Sequence, residues 1–192
     1  MPLSAAAPRK AQHIRRYEAI GYLREDGLYD IEGHLTDEKT YPFDNRWRGT
    51  VVPGEKLHDM HLRLTINDDM EIVAVEAATE ASPFSLCGDI TASYQQLVGL
   101  RIVSGFSRKA LERIGGVKGC THISELLRVL GVVAFQTLWP VIHAKQKAAP
   151  EGSRASPTAL LNSCHAYAAN SPVVETYFPE HYQPAKSQKN AL

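Results

Sequence analysis

The amino-acid sequence predicts an α+β fold, with an N-terminal antiparallel β-sheet packed against C-terminal helices. Three observations carry this reading. As far as Thr79, apolar and polar residues alternate in short runs separated by turn signals, with no helical period of any length. From Ser82 onward, apolar residues instead recur three and four apart. Strands first and helices afterwards is the order of an α+β fold. With 192 residues, one core can bury roughly 70% of the surface that the unfolded chain exposes, so neither a disulfide nor a structural metal is required. The expected organisation is a disordered arm over residues 1–12, a single α+β domain over 13–182 and a flexible tail over 183–192.

Taken in order, Tyr17 to Arg24 reads as a first strand, and Asp26-Gly27 as a hairpin turn, because Asp-Gly supplies the positive φ values such turns demand. The second strand, Leu28 to Asp37, places Tyr29, Ile31, Gly33 and Leu35 on one side and Asp30, Glu32 and His34 on the other. Tyr41 to Arg48 reads as an aromatic-bearing loop with a turn at Phe43-Asp44-Asn45, leading into a strand from Gly49 to Val52. Pro53-Gly54 then turns the chain into a central hairpin, Lys56 to Thr79. With Asp68-Asp69 as a two-residue turn, Asn67 pairs with Met70. That register sets Leu62 opposite Val75, Leu64 opposite Val73, His61 opposite Glu76 and Arg63 opposite Ala74. Met60, Leu62, Leu64, Val73, Val75 and Ala77 then form a dry face, and Asp59, His61, Arg63 and Glu76 a polar one.

Beyond the sheet, Ile90 to Leu100 spaces Ile90, Tyr94, Leu97 and Val98 at helical intervals. Ser107 to Ile114 forms the next helix, with Ser107 as its cap and Gly115-Gly116 as its end. The longest helix is expected to start near Thr121, whose hydroxyl can cap it, and to run through Leu126, Leu130, Ala134 and Leu138 to about Trp139, before Pro140. It belongs on the dry face of the sheet. Ala144 to Pro157 reads as a mobile connection and Thr158 to Ala169 as a further short helix, with Tyr177, Phe178 and Tyr182 tying down the end.

Composition narrows the function. Basic and acidic side chains are equal in number, 21 each, so no net field draws in nucleic acid or an anionic membrane. Three cysteines, Cys87, Cys120 and Cys164, fit reduced thiols better than a disulfide framework. The opening residues lack the apolar core of a signal peptide, and Leu126 to Ile142 falls short of the ~20 apolar residues of a membrane span. A cytoplasmic protein acting on a small molecule, with homo-oligomerisation left open, is the expectation.

The chemistry-bearing residues gather in three places. On the central hairpin His61, set across from Glu76, with Asp59 and Arg63 beside them, offers a base, carboxylates and a cation. On the second strand Asp30, Glu32 and His34 share a face and can couple their titrations. Either face equally suits a sheet surface open to water. In GGVKGCTHISELL, residues 115 to 127, glycines precede Cys120, Thr121 and His122 at a helix N-terminus, which favours negative charge. A buried, inert cysteine is the plainer alternative there. His58, Cys87, Cys120 and His122 have the ligand types of a zinc tetrahedron but not its close pairs. His58 and His61 point to opposite faces of a strand and cannot chelate together. No phosphate loop, nucleophile elbow or other cofactor motif is present.

The segments DGLYDIEGHLTDEK (26 to 39), RGTVVPGEKLHDMHLRLT (48 to 65), EAATEASPFSLC (76 to 87), LVGLRI (97 to 102) and GGVKGCTHISELL (115 to 127) together resemble the bacterial family labelled domain of unknown function 2889, over roughly residues 13 to 140. In that family the position of His61 is commonly an aromatic such as Trp, so a histidine there is a departure. The resemblance offers Asp30, Glu32, His34, His58, Asp59, Arg63, Cys120 and His122 as candidates, and implies a place in aromatic-compound catabolism. The combined expectation is a cofactor-independent lyase for a hydroxylated, lignin-type aromatic. In it, His61 with Glu76 and Asp59, or the Asp30, Glu32 and His34 group, removes a proton. Arg63 and the helix N-terminus at Cys120 and His122 hold an oxyanion, and Tyr29, Tyr41 or Trp47 stacks on the ring. The pocket is expected between the polar sheet face and the turn from Gly115 to His122. A metal-binding protein using histidine and cysteine ligands, and a non-catalytic ligand-binding or interaction module, are the alternatives.

Overall fold

A computed structural model describes residues 3–148 and 160–184, and its residues pack as two compact units, 1–142 and 143–192. The first unit holds the sheet. Strands β1 (His13–Leu23), β2 (Tyr29–Lys39), β5 (Lys56–Ile66) and β6 (Ile72–Ala81) form one antiparallel sheet in the order β1-β2-β5-β6. Two short strands, β3 (Phe43–Asn45) and β4 (Gly49–Val51), pair as a separate ribbon between β2 and β5. Phe43 to Asn45 is therefore strand, not turn, and the Asn45 side chain closes the ribbon by accepting from the amides of Trp47 and Arg48.

Both long hairpins turn through three residues. Between β1 and β2 the loop is Glu25-Asp26-Gly27, closed by Arg24 N–H to Leu28 C=O, with Gly27 at φ 84°. Between β5 and β6 it is Asp68-Asp69-Met70, closed by Asn67 N–H to Glu71 C=O, with Met70 at φ 63°. This is the type I turn plus left-handed residue that three-residue hairpins use. The Asn67 side chain fixes it by accepting from the amides of Asp69 and Glu71.

The longer loop shifts the predicted register by one position, and a bulge shifts it by another. Thr65 pairs with Ala74 while Ile66 pairs with Ile72, which leaves Val73 as the extra residue. Leu64 thus faces Val75, Leu62 faces Ala77, Arg63 faces Glu76 and His61 faces Ala78. The expected His61–Glu76 and Arg63–Ala74 pairs do not form, and Val73 is exposed instead of joining the dry face. Two shifts preserve the parity of every other position, so the two faces keep their predicted character.

The dry face is covered by helix α2, Thr121–Ala148. Ile31, Leu35, Met60, Leu62, Leu64 and Ile66 pack there with Ile123, Leu126, Leu127, Leu130, Ala134 and Leu138, all buried. Close approach depends on glycine. A Cβ on Gly33 would lie 3.0 Å from Leu130 Cδ2, and one on Gly21 only 1.9 Å from Thr137 Oγ1. The helix runs through Pro140 instead of stopping at Trp139, since a proline removes a single backbone donor and the turns on either side continue. By length and composition alone it is long and apolar enough to span a membrane, a test that a core helix also passes.

Between sheet and helix, Ser85–Leu97 winds as a 3-10 helix, not the α-helix expected at Ile90 to Leu100. Its inward residues, Thr91, Tyr94 and Leu97, fall three apart, the 3-10 repeat. Helix α1, Phe106–Ile114, follows with Gly105 at φ 83° as its cap, so Ser107 lies inside the helix. In the second unit, residues 160–164 form turns, His165–Tyr167 a 3-10 turn and Pro172–Tyr177 helix α3, capped by Ser171. Among the described residues 160–169, the helix predicted over Thr158 to Ala169 is reduced to the 3-10 turn. Residues 144–148 belong to α2, and the rest of the predicted mobile connection lies outside the described residues, as does all but the start of the predicted tail. Phe178 packs against Tyr167 within this unit, with centroids 6.2 Å apart.

Candidate active site

Alternation along β5 sends His58 and Met60 inward and Asp59 and His61 outward. Two clusters of ionisable residues result, one on each face of the sheet.

The outer face is organised in cross-strand rows. Glu32, Arg63 and Glu76 are directly in register, and Arg63 bonds to both carboxylates, at 2.7 and 2.6 Å. These bonds hold the Arg63 guanidinium charge firmly, and its pKa is raised, chiefly by Glu32. In the next row His34 lies opposite His61, with rings stacked 4.1 Å apart, and His34 Nε2 is 2.5 Å from Asp59 Oδ1. Lys56 pairs with the second Asp59 oxygen. Asp30 takes a hydrogen bond from Thr65, so Asp30, Glu32 and His34 each answer to a different partner and do not form one cluster. Glu32, His34, His61, Arg63 and Glu76 line a trough of about 450 Å³ whose walls are strand residues only.

The inner cluster closes one end of the dry face. Arg15, Asp37 and His58 are directly in register on β1, β2 and β5. Asp37, 1% exposed, receives Arg15 through Nε at 2.7 Å and Nη2 at 2.6 Å, and lies 2.7 Å from His13 Nε2 and 2.9 Å from His58 Nδ1. Burial alone would raise its pKa, but the bonds from Arg15 and His13 outweigh burial and hold it well below the usual carboxylate range. Arg15 also bonds Glu125 on α2 at 2.8 Å, and Tyr17 donates to the same carboxylate. The His122 ring stacks on His58 with centroids 3.7 Å apart. Burial lowers the pKa of both histidines, so both are neutral at pH 7. An ionised Asp37 fixes the His58 proton on Nδ1 and leaves Nε2 as a free acceptor.

Beside His122 the helix start is locked. Buried Tyr94 donates its hydroxyl to the Cys120 carbonyl at 2.9 Å and accepts from the Cys120 amide at 3.1 Å. Cys120 Sγ lies 3.9 Å from His122 Nδ1 and 3.8 Å from Met60 Sδ. A cavity of about 360 Å³, open to solvent, lies here, lined by His58, His122, Cys120 and Thr121 and by the apolar residues Phe84, Leu86, Ile90 and Val117, of which Phe84, Leu86 and Val117 are exposed. Trp47 packs edge-on against Phe84, 5.2 Å between centroids.

The predicted pocket between the polar face and the Gly115–His122 turn does not form. The sheet itself separates them, because Cys120 and His122 contact the inward residues Met60 and His58 while Asp59, His61, Arg63 and Glu76 project from the other side. Arg63 and the helix N-terminus therefore hold no common oxyanion. Tyr29 is buried in the core, and Tyr41 sits under Lys39, 5.9 Å from its ring centroid, so of the three ring-stacking candidates Trp47 alone adjoins the inner cavity. Cys87 lines that cavity with Cys120, His58 and His122, yet the donors that converge within 4.8 Å are Asp37, His58 and His122, with neither cysteine among them. A second group, His34, Asp59 and His61, converges equally closely on the outer face. His13, Arg15, Asp37 and Glu125 escaped the sequence reading, although Asp37 continues the inward series 29, 31, 33, 35. An acid on the apolar face of a strand was the available signal.

The family model described as Protein of unknown function (DUF2889) matches residues 13–136, well over half of the chain. The chain belongs to this family. The DUF2889 match begins at His13 and extends past Glu125, so every residue of the inner cluster, and of the outer one, lies within it. Neither the curated proteins nor the solved structures contain a match.

Proposed function

We propose that this DUF2889 protein is a small-molecule lyase, acting by acid–base catalysis on a hydroxylated aromatic compound bound in the inner cavity. The observation that carries the reading is the Asp37–His58 pair, buried and clamped by Arg15, with neutral His122 stacked beside it at the mouth of an apolar cavity. An apolar pocket with a few convergent polar groups of shifted pKa is the default place for chemistry in a fold of unknown activity. In this scheme Phe84, Leu86 and Ile90 receive the ring. His58 Nε2 removes the proton of a substrate hydroxyl, and the O–H electron pair becomes a carbonyl π bond. The adjacent C–C bond breaks, and the departing carbon keeps its electron pair and takes a proton from the imidazolium so formed or from water. Asp37 holds His58 in the required tautomer and stabilises its charged form. The same two proton transfers cleave a C–O bond where the hydroxyl and the leaving oxygen share one carbon, the departing oxygen taking the second proton. Proton transfer of this kind supplies ~10²–10⁴-fold.

The test begins with thermal-shift screening of the protein against hydroxylated lignin-type aromatics, with and without chelator, because a ligand of the native state raises the melting temperature. Hits are then assayed for aldehyde release. Turnover is expected to fall by about a hundredfold or more in His58→Ala. Full turnover in His58→Ala discards the scheme, and turnover abolished by chelator replaces it with a metal-dependent one.

A further inference from the structure

The outer cluster takes no part in that chemistry. We propose that His34, Asp59 and His61 form a binding site for a divalent transition-metal ion, zinc in the simplest case, on the outer face of the sheet. His34 and His61 occupy directly paired positions on β2 and β5, and their rings lie 9° from parallel. Both Nε2 atoms point at one oxygen, Asp59 Oδ1, from 2.5 and 3.5 Å. One donor atom from each residue lies within 4.8 Å of the other two. Two imidazoles and a carboxylate suit zinc, iron and nickel, and three protein donors leave coordination positions facing the trough.

The surroundings favour a cation. Lys56 grips Asp59 through the other oxygen, Oδ2, so it can stay in place and orient the carboxylate when Oδ1 binds metal. Glu18, Glu32, Glu76 and Glu80 line the same trough, while the single arginine there, Arg63, is already paired with Glu32 and Glu76. The inner triad is a poorer host despite its equal number of donors. Arg15 engages both oxygens of Asp37, whereas Lys56 engages only one oxygen of Asp59 and leaves the other to the histidines.

Calorimetric titration of the metal-stripped full-length chain, without a histidine tag, with zinc chloride tests this. His61→Ala, Asp59→Asn and His122→Ala are titrated in parallel. A single ion per chain is expected, weakened on the order of tenfold or more in His61→Ala and Asp59→Asn and unchanged in His122→Ala. His61 is half-exposed, so its replacement leaves the fold intact, and an unchanged thermal melt of the metal-free variant verifies that. No binding by the unaltered protein, or binding that survives His61→Ala, overturns the proposal. The scheme for the inner cavity stands or falls separately, because its variants lie on the other face.

Discussion

Asp37 concentrates more of this protein's electrostatics than any other residue described. A buried carboxylate persists on an apolar strand face only when its acceptor sites are filled, and here Arg15, His13 and His58 fill them. Asp37→Asn leaves the Arg15 charge half-buried without its main partner. It is expected to destabilise the fold by about 3 kcal/mol, read from urea unfolding. The same residues set the response to acid. His58 and His122 have folded pKa values below their unfolded value of 6.5, so between those limits the unfolded chain binds more protons. Stability is therefore complete above about pH 6.5 and declines as pH falls below it. Asp37, also depressed, adds a second loss below its unfolded value of 3.8. The melting temperature should drop between about pH 7 and pH 5, and His122→Gln should flatten that drop. A slope unchanged in His122→Gln would assign it to other groups.

At the scale of elements, the faces of the strands were legible in the sequence and their pairing was not. Alternation alone put Asp59, His61, Arg63 and Glu76 on one side, and that survived the change of register because a loop residue and a bulge together shift it by an even number. Which residues meet across strands depends on Met70 adopting φ 63° and on Val73 bulging outward, and neither carries a sequence signature as plain as Asp-Gly. The helix was legible too, and so was the dry face that it covers, but not how closely it approaches that face. In the sequence Gly33 reads only as one inward member of the β2 series and Gly21 does not stand out at all, whereas in the fold they are the seats of Leu130 and Thr137. Gly21→Ala is expected to cost about 1–3 kcal/mol by denaturant unfolding, and adding Thr137→Ala, which removes the 1.9 Å conflict with Oγ1, should restore part of it. If the double variant is no more stable than Gly21→Ala, contact with Thr137 is not the limiting constraint.

For the whole molecule, the sheet is a partition. Its inner face carries the hydrophobic core and, at one end, the Asp37–His58–His122 cluster; its outer face carries the Glu32–Arg63–Glu76 and His34–Asp59–His61 rows. The core cluster and both sites lie within the first unit, residues 1–142. A chain ending after Ala148 should accordingly keep a cooperative melt and the β-sheet signal in circular dichroism. Loss of both would show that residues beyond 148 are needed for the sheet to fold.

Local patterning in the sequence was enough to give the fold class, the order of the long strands and of the long helix, and the face on which the residues of β2 and β5 lie. These follow from local periodicity and from turn residues, which a linear pattern records. Only the tertiary structure decided which polar residues become one site. Arg15, Asp37, His58, Cys120, His122 and Glu125 come from three strands and the start of a helix, spread over 110 positions between Arg15 and Glu125. Their meeting depends on register and on how closely the helix can settle onto two glycines, and both are set by packing between segments remote in the chain.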